Sequence, residues 1–463
     1  METEQLWESR YLDLEHRYRV LEKRCADLIS ENQALREKLS TNSKNSSKPP
    51  SQDPFCKTRK RKSSGKKPGG QPGHPGHKRT MIPADQVSEV VDLISENCPS
   101  CGCADFDDTP ISIECRQVIE LPAIEPAVTQ YNIHTSRCGK CGQHCRPNIP
   151  KEAERGFGPR LMGFLTMLTA EAGVTKRKIC AIAGHLGIKI SLGALCNIHR
   201  LASAILEKPY EIIRDAVLSE DVVNADETSW RLRSKRCWLW IGATPKATFF
   251  GIDPSRSRQA YERIFGTFQN TLCSDRYSVY DAHPGKKQAC LAHIKRDFNK
   301  MSERTGADGA LGRILCGELD RIFGLWKEFK EGSSSRQDLQ DKAQVHIENI
   351  KDALTVVASS AEIKQKSGGL CRNLLKHFHT LWTFLYEENV EPTNNRAERG
   401  LRPAVIWRKV SGGNQSDWGL IFTERLLTTC CTLQQQSVNI FEFLTKSFEA
   451  RIRASPVPSP LGN

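Results

Sequence analysis

No stretch of this 463-residue chain approaches the ~20 consecutive apolar residues that a membrane-spanning helix needs. The first forty residues carry charge throughout, so no export signal is expected there. These two absences predict a cytoplasmic protein, and they change the reading of the 18 cysteines. Reduced thiols and a metal site fit that compartment better than a disulfide framework. Acids are scarce in one region. Between Lys44 and Arg79 there are eleven Lys or Arg against a single acid, Asp53. Such a segment cannot build a core and reads as a cationic tether.

The chain as a whole is also basic, with a formal net charge of +13. A polyanionic partner is therefore expected. The length calls for several domains, since one core rarely grows past about 250–300 residues.

Residues 1–43 carry a heptad pattern. Leu14, Leu21, Leu28 and Leu35 form one seam, and Tyr11, Tyr18, Cys25, Asn32 and Leu39 form the other. Leucine at d with a polar Asn at a predicts a parallel, dimerising coiled coil. The linker 44–80 follows, with Lys57, Arg59, Lys60, Arg61, Lys62, Lys66 and Lys67 as expected contacts to a phosphate backbone.

Residues 81–150 hold two CxxC knuckles, Cys98/Cys101 and Cys138/Cys141, each followed directly by glycine. Two such turns present four thiolates and predict a tetrahedral structural Zn²⁺ in a zinc-ribbon-like module. Val118–Leu121 and Val128–His134 are expected to be its strands. A redox CxxC would need a βαβ setting that is missing here.

Residues 151–215 read as helices, with Ser191 capping one of them. The pattern over 175–200 fits a DNA-binding helix-turn-helix and equally an ordinary αα-hairpin.

The most informative part lies further on. Asp221-Val-Val-Asn-Ala and Asn270-Thr-Leu-Cys-Ser are short strands that lead into Asp226 and Asp275. A polar, arginine-rich segment, Asn394-Asn-Arg-Ala-Glu-Arg-Gly-Leu-Arg-Pro, supplies Glu398. Two carboxylates at adjacent strands and one from a helix can clamp two divalent cations about 4 Å apart, the arrangement for in-line displacement at phosphorus. Mg²⁺, or Mn²⁺, suits such oxygen ligands. Glu227 is a rival ligand that ranks lower, because neighbouring strand residues face opposite ways. Arg396, Arg399 and Arg402 are expected phosphate contacts, the last two on one face if the helix runs on.

The expected order is three strands, a helix, a strand, a helix and a strand. The strands end with Lys287–His293, and the order is that of a ribonuclease-H-like sheet. Helices 311–329, 338–357 and 373–386 would interrupt it, one helix would run over 421–448, and the tail from Pro456 is expected to be disordered. The fold class is thus α/β. The expected domains are 1–43, 44–80, 81–150, 151–215, a catalytic part at 216–300 plus 390–412, a helical insertion at 301–389, and a C-terminal helix and tail at 413–463.

These motifs, together with Asn45-Ser-Ser-Lys-Pro-Pro-Ser, Gly70-Gln-Pro-Gly-His, Asp226-Glu-Thr-Ser-Trp, Asp275-Arg-Tyr and Cys290-Leu-Ala-His-Ile-Lys-Arg, resemble the DDE transposases of the insertion sequence sixty-six family. The resemblance runs nearly the whole chain. It implies Asp226, Asp275 and Glu398 as the catalytic acids. It implies double-stranded DNA, both transposon end and target, as the partner, and accessory proteins of the same element. Cys290 and His293 resemble a CxxH pair found beyond the second aspartate in some transposases. Leu291 and Gly400 depart from the pattern, and neither removes a ligand. From the residues alone the reading stops at a metal-dependent phosphotransferase on DNA. A non-catalytic DNA-binding regulator and a stand-alone nuclease are its rivals.

Overall fold

The computed structural model describes residues 2–42, 45, 79–104, 106, 111–171, 173–266, 268–359 and 365–462. The basic run from Lys57 to Lys67 lies outside them. The chain divides into two units, Phe55–Ala127 and the remainder.

In the first unit the described residues form no strand; their one regular element is a single 3-10 turn at Ala84–Gln86. The expected strand at Val118–Leu121 is therefore absent. Val118 is 92% exposed, and without a partner ladder or a buried face its β-branched composition has nothing to pack against.

The second unit begins with α1 (Glu2–Leu39), one long helix whose four d-position leucines are exposed. Its C-terminal end reaches the later helices. Glu37 pairs with Arg304 at 3.3 Å, and Asn45 donates to Glu303 at 2.7 Å. Next comes a two-residue hairpin, β1 (Ser136–Arg137) with β2 (His144–Cys145). The expected strand at 128–134 is not formed either.

Four helices follow: α2 (Pro159–Ala170), α3 (Lys176–His185), α4 (Leu192–Ile205) and α5 (Glu207–Ser219). The α3–α4 turn comes from local chemistry. Gly187 takes φ +75°, and the Ser191 side chain accepts from Ala194 N at 3.1 Å.

A five-stranded sheet carries the rest. Its strands are β3 (Val222–Leu232), β4 (Lys235–Ala243), β5 (Thr248–Asp253), β6 (Thr271–Ser274) and β7 (Lys287–Ala289), with α6 (Arg258–Phe265) crossing between β5 and β6. The spatial order is β5-β4-β3-β6-β7, antiparallel over the first three and parallel over β3-β6-β7. Period-2 alternation sorts the side chains. Phe250, Leu239 and Ile241 face one core with α2–α4 and the C-terminal helices, while Phe249, Trp240 and Val223 face another with α5 and α6. β7 is shorter than expected: Cys290 is already the N-cap of α7 (Leu291–Ser302).

The segment between β7 and Glu398 holds α8 (Gly306–Lys330), α9 (Arg336–Ser359), α10 (Gln365–Lys376) and α11 (Thr383–Tyr386). They share one apolar cluster, including Leu319, Leu339, Leu354 and Phe384, which continues onto Cys273 and Ala289. The single helix expected over 373–386 is broken by a 3-10 turn at Phe378–Leu381.

Then come α12 (Asn395–Gly400), α13 (Arg402–Ser411), α14 (Asp417–Gln435) and α15 (Ile440–Arg453). The one helix expected over 421–448 is thus two. Ser437 turns the chain at φ +57°, and Asn439 caps the new helix by accepting from Glu442 N at 3.1 Å. The tail is placed rather than loose: Val457 packs against the core, and Gly462 N donates to Gln436 at 3.0 Å.

α14 also closes the open edge of the sheet. Thr432 Oγ1 accepts from Thr248 N at 3.1 Å, Thr428 Oγ1 from Phe250 N at 2.9 Å, and Glu424 from Ile252 N. Residues four apart on a helix face thereby satisfy every second amide of β5, which would otherwise be a free edge.

Candidate active site

Asp226 sits within β3, not at its end, since the strand continues to Leu232. What ends beside it is the parallel ladder with β6, whose last pair is Asn224 with Cys273. Two residues further along both chains are Asp226 and Asp275, side by side where β6 has stopped. The Asp275 carboxylate accepts from Tyr277 N at 2.9 Å, and that of Asp226 from Glu227 N at 2.8 Å.

Glu398 arrives from a position remote in sequence. It lies in the first turn of α12, whose N-cap is the buried Asn394. Asn394 Nδ2 donates to Ala225 O at 2.7 Å, its Oδ1 accepts from Asn224 Nδ2 at 3.0 Å, and its backbone N donates to Cys290 Sγ at 3.1 Å. One side chain thus ties the helix bearing Glu398 to the strand bearing Asp226. α7 supplies two neighbours of Glu398 Oε1: Arg296 Nη2 at 3.5 Å and His293 Nδ1 at 3.6 Å.

The electrostatics are those of crowded acids. The carboxyl of Asp226 is pushed well above the usual range, first by burial and then by the charges of Glu227, Asp275 and Glu398. All three of Asp226, Asp275 and Glu398 are half-buried. Repulsion among neighbouring carboxylates is what a bound cation would relieve.

Glu227 points elsewhere. Its fully buried carboxylate takes Arg256 and the Tyr280 hydroxyl as partners. Arg256 in turn lies over the rings of Trp238 and Tyr277. Trp230 and Trp240 are fully buried core residues.

The two knuckles repeat one local geometry. Gly102 N donates to Cys98 O at 2.8 Å with φ +73°, and Gly142 N to Cys138 O at 2.9 Å with φ +74°. Backbone N–H groups lower the Cys98 thiol, led by that of Ser100, and the Cys138 thiol, led by that of Cys141. Both turns are therefore shaped to present thiolates. Cys98 and Cys101 belong to the smaller unit, and Cys138 and Cys141 to the larger. Among the described residues the group of three or more metal-ligating side chains is a different one, Cys290, His293 and Glu398.

Arg396 lies on α12, half-buried, while Arg399 and Arg402 are exposed. The helix does not run through them: α12 ends at Gly400 and α13 starts at Arg402. Arg399 and Arg402 therefore do not share one helix face. Asn394, Asn224 and Arg296 were missed as site residues by sequence reasoning. All three stand in motifs that the sequence singles out, at 221–225, 394–403 and 290–296, but a motif names no partner.

Among the described residues no helix is long and apolar enough to cross a membrane. Residues 1–80 match a family of unknown function. Two curated proteins of Sinorhizobium fredii (strain NBRC 101917 / NGR234) are similar to this chain. "Uncharacterized protein y4qI" is 25% identical over 281 residues, covering 53% of this chain and 48% of its own length. "Uncharacterized protein y4hP" is 21% identical over 261 residues, covering 48% and 46%. The chain thus spans about half the length of the curated relatives it matches. The profile described as "Transposase IS66 family" matches residues 156–421, more than half of the chain, and on that match the chain belongs to the IS66 transposase family.

Proposed function

We propose that this transposase cuts a phosphodiester at a transposon end and joins the freed 3′-hydroxyl to target DNA, with Asp226, Asp275 and Glu398 as its catalytic acids. The observation that supports this most is the bolt from Asn394 to β3, which brings an acid from far along the chain toward one aspartate on β3 and another just past the end of β6. The strand order β5-β4-β3-β6-β7 is that expected of a ribonuclease-H-like sheet, with the segment 301–389 as its insertion and 390–412 returning to it.

The three carboxylates fit hard divalent cations, and Mg²⁺ or Mn²⁺ held there would activate the attacking oxygen and neutralise the leaving one. The chain's own residues do the rest. Asn394 fixes the spacing of the acids. Arg296 holds Glu398 toward α7. Arg396, Arg399 and Arg402, none of them in an ion pair with a described residue, meet phosphates of the bound DNA. No nucleophilic side chain is needed, because water and then a 3′-hydroxyl attack.

In the same reading Cys98 with Cys101, and Cys138 with Cys141, are ligands for structural Zn²⁺, and the exposed leucine seam of α1 pairs two copies or more as a coiled coil. The basic linker and the α3–α4 hairpin add contacts to the ends. Accessory proteins of the element complete the reaction, on the nucleoid in the cytoplasm.

The test is a cleavage and strand-transfer assay with the element's own labelled end, a plasmid target, Mg²⁺ and the accessory proteins, run beside Asp226→Asn. Joined product that disappears in the variant is expected. Nicking without joining would support a nuclease, and DNA binding without cleavage by either protein would support a non-catalytic regulator.

A further inference from the structure

The site holds a second donor set, of which the phosphotransfer reading uses only Glu398. Cys290, His293 and Glu398 place their ligand atoms within 4.8 Å of one another. The chemistry of Cys290 and His293 differs from that of the acids. Thiolate and imidazole are borderline-soft donors that favour Zn²⁺ over Mg²⁺.

Three features make this more than a chance meeting. First, Cys290 is the N-cap of the twelve-residue α7, and His293 stands one turn on, so both side chains rise from the same helix end. Second, the Cys290 sulfur is cradled. It accepts the backbone N–H of Asn394 at 3.1 Å, and the N–H groups of His293 and Ala292 also bear on it. Burial nevertheless pushes the Cys290 thiol up, whereas the Cys98 and Cys138 thiols are lowered by their backbone N–H groups, so at Cys290 the ion itself has to displace the proton. Third, His293 Nδ1 is buried without a hydrogen-bond partner, and Glu398 Oε1, at 3.6 Å, is too far to be one. A buried imidazole nitrogen with no partner calls for an explanation, and a bound ion is one. Ligand atoms around a tetrahedral zinc lie about 3.3–3.8 Å apart, given the usual Zn–S and Zn–N lengths, so closing on the ion takes a contraction of up to about 1.5 Å.

We propose that Cys290, His293 and Glu398 form a binding site for a soft divalent cation, Zn²⁺ above all, and that its occupation takes Glu398 away from Asp226 and Asp275. Binding displaces the thiol proton of Cys290 to solvent, leaving one thiolate and one carboxylate to balance the dication. The fourth position is open to water. Arg296, now paired with Glu398 Oε1 at 3.5 Å, gives up that pairing. The binding part stands on the donor set alone. The inhibitory part rests on the function proposed above, in which Glu398 must serve the Mg²⁺ reaction.

Two measurements on the full-length protein separate these parts. In the first, Co²⁺ is titrated into full-length protein stripped of metal by a chelator, and the thiolate-to-cobalt charge-transfer absorption is followed. Wild type is expected to bind one equivalent more than Cys290→Ser, and His293→Gln to weaken that equivalent roughly tenfold or more. Identical titrations for all three folded proteins would overturn the site. Because Cys290 is buried, its variant is checked by thermal unfolding; if it fails to fold, the half-buried His293→Gln decides alone. In the second, Mg²⁺-dependent cleavage is measured in buffered free Zn²⁺. Half-inhibition at a zinc level that rises at least about tenfold in Cys290→Ser is expected. Cleavage that ignores zinc, in a protein that shows the cobalt band, overturns the brake. If wild type cuts no DNA at all, the functional reading fails while the cobalt result still decides the site.

Discussion

Asn394→Ala tests whether the acidic centre is assembled by one side chain. Asn394 is 1% exposed. Truncating it leaves Ala225 O without its 2.7 Å donor and Asn224 Nδ2 without its 3.0 Å acceptor. Asn224 is itself only 6% exposed, so water cannot readily replace the lost partner. A buried polar group left unpaired costs about 1–3 kcal/mol. Two of them, with some relaxation, predict a loss of about 2–4 kcal/mol in urea unfolding. The functional effect should exceed the structural one, because α12 is then free to shift Glu398 relative to Asp226. Single-turnover cleavage should fall by about 100-fold, as when positioned groups are displaced by about 1 Å, while DNA affinity stays unchanged. Asn394→Asp is the sharper probe. Its carboxylate can still accept from Asn224, but it sets an oxygen against Ala225 O and adds charge beside three acids. It should therefore be at least as damaging as alanine. A fully active aspartate variant, or an alanine variant within about 0.5 kcal/mol of wild type, an ordinary surface effect, would refute the reasoning.

Burial holds Glu424 at about 7, up from an ordinary value of 4.5. The native state thus binds its proton more tightly than the unfolded chain. The stability this provides is complete below pH 4.5 and is lost as pH rises through 7, by about 3 kcal/mol in all. Glu424→Gln keeps the acceptor for Ile252 N and should flatten the melting temperature over that window; an unchanged pH slope would contradict the assignment. Arg256→Ala strips an ion-pair partner from a fully buried Glu227 but leaves it the Tyr280 hydroxyl. With the arginine one-third exposed, a discounted cost of about 2–3 kcal/mol is expected in urea unfolding. Cys138→Ser should lower the bound zinc by one equivalent in elemental analysis, and a strong chelator should mimic it; zinc content unaltered by the substitution would remove Cys138 from the ligand set.

Much of the local structure was legible in the residues. The turn between α3 and α4 could be read because glycine and a capping serine act within a few residues of themselves. The strands leading to Asp226 and Asp275 could be read because β-branched runs bounded by polar residues encode extension locally. The same logic failed at Val118–Leu121 and Val128–His134, where composition favours a strand but no ladder partner comes alongside. It failed again at Cys290, which composition assigns to a strand and the helix N-terminus claims. The break at Ser437 was hidden because apolar residues continue on both sides of it.

The sequence by itself determined which side chains are candidates for the chemistry: three acids in polar surroundings, two cysteine turns shaped by their own glycines, and a charge excess concentrated in one segment. Each of these is a property of residue type and short-range spacing. Only the tertiary structure decided which groups meet. The register of β3 on β6 sets Asp226 beside Asp275, Asn394 brings Glu398 to them across some 170 residues of chain, and α14 covers the free edge of β5. The same folding carries Cys290 and His293 to Glu398. Such encounters depend on long-range pairing and on which buried polar groups satisfy one another, and no local pattern records that.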